Sequence, residues 1–308
     1  MSAAAVPRNS LLVRAALLIA MLAGSAVVAF GEQRYPAKGL VLKVDRPHQT
    51  IIVSCQSIPG FMDAMVMPFS VKEAKELTDL TPGAMIDFTI VIEQNSSQAE
   101  GVHVDSYQGL EPDPLTARRL KLMNQAANPS ATKPVELGKA MPDFTLIDQN
   151  RQPITLSKFA GKVVALNFIY TRCMLPNFCF RSSNNFGVLQ KRFKERLGRD
   201  LVLLTVTFDP DHDQPEVLSK YAATWKADPK TWHFLTGSPT DVRRVCDLFE
   251  EDAFQDEGLM THSLHTAIID PKGNLAVNLV GNEFTAQQLG DLVETEMEAS
   301  HSVSKPTH

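Results

Sequence analysis

The chain has 308 residues, 44% of them apolar, with 35 acidic and 30 basic side chains and a formal net charge of −5. That length suits two domains of ordinary size, each apolar enough to build a core. No basic stripe gives a nucleic-acid partner electrostatic support, and four cysteines, Cys55, Cys173, Cys179 and Cys246, are too few and too unevenly spaced for a disulfide-dense secreted scaffold.

Arg8 and Arg14 precede an uncharged apolar run from Ala15 to Phe30, the pattern of a secretory n-region and h-region. Residues 1–30 therefore read as a signal peptide or a signal anchor. Ala23, Ser25, Val27 and Ala29 offer cleavage registers, while the run itself is near the lower limit for a membrane span. The rest of the chain is expected outside the cytoplasm, in the periplasm or on the outer face of the membrane, either soluble or anchored at its N-terminus.

Residues 36–109 alternate in the manner of short strands. The expected strands are Gly39–Asp45, Gln49–Cys55, Met65–Val71, Met85–Glu93 and Gly101–Tyr107, with turn chemistry at Arg46-Pro47, Ser57 to Gly60, Thr81-Pro82-Gly83 and Asn95-Ser96-Ser97. Five strands in about seventy residues, with a short helical stretch near Glu73–Leu77, predict a small all-β barrel of the OB type. Pro112 and Pro114 end this pattern, and residues 110–137, with an amphipathic piece from Leu115 to Ala127 and then Asn-Pro-Ser-Ala-Thr-Lys-Pro, read as a linker.

Residues 138–300 change character. A buried strand Val163–Tyr170 is followed by a cysteine loop, a helix from about Phe178 to Leu197 and a strand Leu201–Phe208; Phe186, Leu189, Phe193 and Leu197 give that helix one apolar face. A helix Pro215–Lys226, a strand Trp232–Leu235, a helix Pro239–Glu250, strands His265–Asp270 and Leu275–Val280, and a helix Thr285–Glu298 complete an α/β layer fold. Residues 301–308 read as a disordered tail.

Two groups of soft ligands stand out. In a strand, Met65 and Met67 share a face while Val66 points away, so two thioethers can grip one ion, with Cys55 on the neighbouring strand and Met62 on the connecting loop. The bland alternative is that these methionines pack a core. The stretch Cys55-Gln-Ser-Ile-Pro-Gly-Phe-Met-Asp-Ala-Met-Val-Met-Pro-Phe, and residues 38–107 around it, resemble the CusF-like periplasmic copper-binding barrels. The resemblance implies a Cu(I) site in which Met65 and Met67 match the family's methionines, Cys55 stands where the family has histidine, and Met62 stands where it has tryptophan.

The second group is Cys173 and Cys179, placed after a buried strand and before a helix, where the positive helix end lowers a thiol's pKa. This is the thioredoxin arrangement, but five residues separate the sulfurs. In a helix, six steps would leave them about 120° apart in azimuth and about 9 Å apart in rise, beyond disulfide geometry. The segment is therefore expected to be a loop, in keeping with Pro176, which lets both sulfurs turn toward one ion or one another.

Phe168-Ile-Tyr-Thr-Arg-Cys173, Thr207-Phe-Asp-Pro-Asp-His-Asp213 followed by Pro215, and Thr261-His262-Ser263 before Asp270-Pro-Lys-Gly are similar to the signatures of the Sco/SenC family. These are thioredoxin-fold copper proteins that help load the binuclear copper centre of cytochrome oxidase. The resemblance spans residues 140–300. It implies Cys173, Cys179 and His262 as ligands for Cu(I) or Cu(II), Asp209 as an acidic neighbour, and a cytochrome oxidase copper subunit as client. The spacing between the cysteines is longer than the usual three residues, and Met174 and Phe180 occupy positions that are often proline. His265, entering a strand, reads as structural; Asp213 with Glu216 reads as a capping box; Asp209 has the alternative role of orienting a turn; and Cys246 reads as a small core residue.

The expected function is an exported copper chaperone whose barrel acquires Cu(I) and whose second domain receives or delivers it. The alternative is a thiol-disulfide reductase acting on a copper protein's cysteines, with Cys173 attacking and Cys179 resolving. Simple sequestration would need only the barrel. A peroxidase is disfavoured because Thr171 lies two residues before Cys173 rather than three.

Overall fold

The computed structural model describes residues 33–93, 96–105, 122, 132–256 and 259–303. The signal segment, most of the linker including all of residues 115–127 but 122, and the last five residues of the tail lie outside the described residues.

The first five strands, β1 (Gln33–Asp45), β2 (Thr50–Cys55), β3 (Met65–Val71), β4 (Met85–Glu93) and β5 (Ser96–Val104), close into a barrel in the order β1-β2-β3-β5-β4, with a short 3-10 turn at Ala74–Leu77. Inward residues alternate along the strands: Val41, Ile51, Val53, Cys55, Phe69, Val71, Ile86, Phe88 and Ile90 fill the interior. Two edges differ from expectation. Strand β1 starts six residues before Gly39, because residues 33–38 pair only with β4, and a strand with one free side accepts Pro36. Strand β5 already pairs at Ser96, so Ser96 and Ser97 are ladder residues rather than turn, and Gly101 (φ +63°) lies within the strand rather than opening it.

The second half is a seven-stranded mixed sheet in which β8 (Val163–Ile169), β9 (Leu201–Thr207) and β10 (Trp232–Thr236) run parallel at the centre. Antiparallel β13 (His265–Ile269) and β14 (Leu275–Val280) flank one side, and the hairpin β6 (Thr145–Asp148) and β7 (Pro153–Thr155), absent from the sequence reading, flanks the other. Helices α1 (Arg181–Arg192), α2 (Pro215–Thr224) and α4 (Ala286–Val303) pack on one face and α3 (Pro239–Leu248) on the other. The central strands are buried on both faces, so they read as unbroken apolar runs: Val163, Ala165, Leu201 and Leu203 face α1, while Val164, Leu166, Val202 and Leu204 face α3. The architecture is thus an OB-like barrel followed by a thioredoxin-like α/β fold.

Helix α1 is shorter than expected. Residues Pro176–Phe180 form one wide π-type turn, non-helical at Phe178, and the regular helix runs only from Arg181 to Arg192. Its start is fixed by a buried polar chain. The Trp232 indole donates to Thr205 (2.9 Å), the Thr205 hydroxyl donates to Asn167 (2.7 Å), and the Asn167 amide donates to Ser182 (2.8 Å). Three central strands are thereby tied to the first turn of α1, three residues after Cys179.

Asn167→Ala would strand Thr205 and Ser182 in an apolar layer. A loss of about 1–3 kcal/mol is expected, read as a lower urea midpoint at unchanged m-value.

Candidate metal centres

At the barrel end, Cys55 lies directly opposite Met65 and Val53 directly opposite Met67 across the β2–β3 ladder. Paired residues share a face, so both methionines line up with Cys55, Phe69 and Val71 on the interior side. Cys55 is fully buried, whereas Met65 is 48% exposed, which places it at the rim. The loop carrying Met62 folds back through the reciprocal backbone bonds of Ile58 and Met62 (2.8 and 3.0 Å), and its Phe61 ring stacks on Tyr35 at 3.7 Å. Burial pushes the Cys55 thiol up to about 12. Its S–H points at the Val53 carbonyl, 3.9 Å away.

The cysteine loop of the second half is anchored where it leaves β8. Buried Asp213 accepts from the Thr171 amide (3.0 Å), the Thr171 hydroxyl (2.5 Å) and the Thr207 hydroxyl (2.6 Å). Asp209 takes Arg172 through Nε (3.2 Å) and Nη2 (2.6 Å). Asp213 is therefore no helix cap: α2 starts from Gln214, and Glu216 pairs instead with Arg151. The ligand atoms of Asp209, His212 and Asp213 all lie within 4.8 Å of one another, the one such His/Cys/Asp/Glu group among the described residues. Both carboxylates are already engaged in holding the loop.

Cys173 and Cys179 are free thiols close enough for each to shift the other's pKa, and Cys173 Sγ lies 3.8 Å from the Leu175 carbonyl. Cys179 is buried within the wide turn rather than in an open loop, which is how five intervening residues still bring the two sulfurs together. The S–H of Cys179 holds Cys173 at about 5, against the opposing effect of burial, with His262 adding a smaller pull. The same interaction, together with burial, keeps Cys179 far above the ordinary thiol range. Tyr170, raised to about 12 by burial and the Cys173 charge, lies beside them.

His262 ends β12 (Leu259–His262), which forms a hairpin with β11 (Ala253–Asp256) that the sequence reading did not anticipate. Its ring is enclosed by Phe208 at 4.6 Å, Tyr170 at 5.8 Å and Phe178 at 6.5 Å. Burial pushes its pKa down, but Glu251 and the Ser263 carbonyl outweigh that and hold it above the ordinary value. Nδ1 meets the Ser263 carbonyl at 2.5 Å and lies 3.6 Å from Glu251. With Nδ1–H donating, Nε2 keeps the lone pair that a metal needs. His262 is near enough to act on the Cys173 charge, although the three ligand atoms do not all fall within 4.8 Å of one another. Glu251, fully buried and raised by that burial, also accepts from the His265 amide at 2.9 Å. His265 pairs with Asn278, and Cys246 is a core residue.

Thiolate, thiol, thioether and imidazole donors fit a soft ion and suit no hard cation. In the metal-free chain, iodoacetamide is expected to modify Cys173 at a rate that is flat from about pH 6.5 to pH 8 and falls on acidification with a midpoint near 5. Cys179→Ala removes the donor and should move that midpoint up by more than one pH unit. Cys55 and Cys246 should react only after unfolding.

A family model for SCO1/SenC matches residues 133–298, and one for the copper binding periplasmic protein CusF matches residues 34–104. The protein sco1 of Schizosaccharomyces pombe is 26% identical over 154 residues, covering 47% of this chain and 56% of that protein. The SCO1 protein homolog of Bacillus subtilis is 31% identical over 94 residues, covering 30% and 47%. The chain thus spans about half the length of these relatives. The crystal structure of a SCO1/SenC family lipoprotein from Bacillus anthracis superposes with a TM-score of 0.46 at 25% identity, covering 55% of this chain and all of that one. The family model spans more than half of the chain, so this protein belongs to the SCO1/SenC family and carries a CusF-like domain ahead of its thioredoxin-like fold.

Proposed function

We propose that the chain is an exported copper chaperone of the Sco/SenC type, which holds copper as cargo through Cys173, Cys179 and His262 and serves assembly of the cytochrome oxidase copper centre. The observation that carries this reading is the pair of free thiols, one buried and one partly exposed, with His262 close enough to act on Cys173, on a loop whose entry is anchored by Asp209 and Asp213. In this reading Cys173 enters as a thiolate, Cys179 gives up its proton on metal binding, and His262 binds through Nε2. Glu251 fixes the ring from behind, and the Tyr170, Phe178 and Phe208 rings keep water from it. A second Cu(I) site is assigned to Cys55, Met65 and Met67 at the barrel rim, with Met62 closing over it. The arginine-led apolar segment at residues 15–30 and the CusF match support a location in the periplasm or at the outer face of the membrane. Among the described residues no helix is long and apolar enough to cross a membrane.

The low pKa of Cys173 favours one further reading, thiol-disulfide exchange on a copper-protein client. The Cys173 thiolate attacks a client disulfide and releases one client thiolate. Cys179 then loses its proton, attacks the Cys173 sulfur and releases the second, leaving the client reduced and this pair oxidised.

Metal analysis of the full chain is expected to give two Cu(I) equivalents, with Cys55→Ser and Cys173→Ser each removing one. Two equivalents lost together, or none lost in either variant, would overturn the two-site assignment. His262→Ala should weaken copper at the second centre by at least tenfold while leaving disulfide exchange within about threefold; equal loss of both would place His262 in the exchange chemistry instead.

A further inference from the structure

The barrel is seated on the thioredoxin-like half. Residues 39–42 of β1 are buried on both sides of the strand: Val41 points into the barrel, while Leu40 and Leu42, with Ile52 and Met85, join the core built from Val277, Leu279, Phe284, Leu289 and Leu292. Gly83, at φ +91°, comes so close to β14 that a Cβ there would sit 2.4 Å from Val277 Cγ1 and 2.9 Å from Leu279 Cδ2. Fully buried Ser54 donates to Asp291 at 2.7 Å, and its carbonyl accepts from Gln288 at 2.9 Å. Asp291 is held in turn by Arg192 of α1 at 2.7 Å.

The same stretch of chain reaches both centres. Gln288 holds Ser54, the neighbour of Cys55, and Gln287 donates to the carbonyl of Ala64, the neighbour of Met65, at 3.2 Å. Five residues earlier, Asn282 donates to the carbonyl of Asn177, two residues before Cys179, and Arg181 donates to the carbonyls of Glu283 and Phe284 at 3.1 and 3.2 Å. Five residues span at most about 18 Å even when fully extended. Among the described residues, Met65 and Met174 are the two exposed sulfur side chains, at 48% and 88%, and each adjoins one of the centres.

We propose that the two halves act as one rigid unit, in which Cu(I) passes directly from the barrel rim to the cysteine loop past the start of α4, with Met65 as the last donor and Met174 as the first acceptor. This rests on the two-site reading above. The step is ligand exchange: bonds from copper to Met67, Cys55 and Met65 break, a transient bond to Met174 forms, and bonds to Cys173, Cys179 and His262 replace it. Copper stays Cu(I) and no electron moves. The proton leaving Cys179 is balanced by the one Cys55 takes back.

The test supplies Cu(I)–glutathione to the full chain without oxygen and follows loading of the second centre as protection of Cys173 from alkylation. Small-angle scattering and the copper count are recorded on each sample. In the wild-type chain, scattering should be unchanged by copper, and loading beyond barrel saturation should not depend on donor concentration. Met174→Leu should slow loading at least tenfold without lowering the count of two. Gly83→Val, which wedges the halves apart, should alter the scattering and slow loading to the same extent; if it does not fold, Ser54→Ala combined with Asp291→Ala serves instead. Loading as fast as wild type in Met174→Leu, or in a variant whose scattering shows separated halves, would overturn the direct path. A wild-type count below two would overturn the two-site reading itself, a separate failure.

Discussion

A cysteine loop this long brings its sulfurs together only because both of its ends are tied to the sheet. At the entry, Asp213 and Asp209 take Thr171 and Arg172 from the segment after β9. At the exit, the chain of bonds from Trp232 through Thr205 and Asn167 reaches Ser182 in the first turn of α1. Between those anchors the wide turn at Pro176–Phe180 takes up the extra length, and Cys179 comes close enough to Cys173 to lower its pKa. Remove either anchor and the entropy of a free seven-residue segment opposes the contact, which a single weak interaction between sulfurs would not offset.

The contact makes the two thiols unequal. One sulfur, partly buried, is favoured as the thiolate; the other, fully buried, is favoured with its proton. A pair of this kind presents a ready thiolate to an incoming soft ion or disulfide and keeps the second sulfur in reserve, so the same geometry serves metal capture and exchange. What separates the two chemistries is the imidazole. His262 is enclosed by three aromatic rings and backed by Glu251, a buried carboxylate that burial raises and that the histidines beside it draw back down. Exchange between thiols and a disulfide needs no imidazole, whereas a soft metal ion gains a third donor from one.

Much of this was legible from residue order. The barrel appeared as alternating strands divided by Pro, Gly and Asn turns, and the second fold as unbroken apolar strands separated by helices, because those patterns follow directly from which faces are buried. The placement of Cys173 and Cys179 between β8 and α1 was equally plain. Less visible was everything that depends on contacts distant in sequence. Asp213 stands where a cap would stand, and only the fold reveals that its oxygens turn back to Thr171 and Thr207. Glu251 sits in the acidic run Glu250-Glu251-Asp252, which reads as solvated surface, yet it is buried behind His262. The hairpin carrying His262 is too short, and too poor in alternation, to announce itself. One distant contact does leave a mark in the sequence: Leu40-Val41-Leu42 does not alternate, and a barrel strand apolar on both faces must have its outer face covered.

That covered face changes what the barrel is. A domain of about seventy residues buries a small share of its surface and is marginal by itself. Packing Leu40, Leu42, Ile52 and Met85 against α4 and β14 adds apolar burial that the isolated barrel lacks, at about 25 cal/mol per Å² removed from water. The cost is loss of freedom. Gly290 lies in the second turn of α4, where glycine is disfavoured by about 1 kcal/mol relative to alanine, and the Arg192 guanidinium occupies the space a Cβ would take, 2.4 Å from it. Arg192 can thus lie against α4 and hold Asp291, which holds Ser54, the neighbour of Cys55. The barrel's stability and the position of its sulfur ligands therefore depend on the same seam.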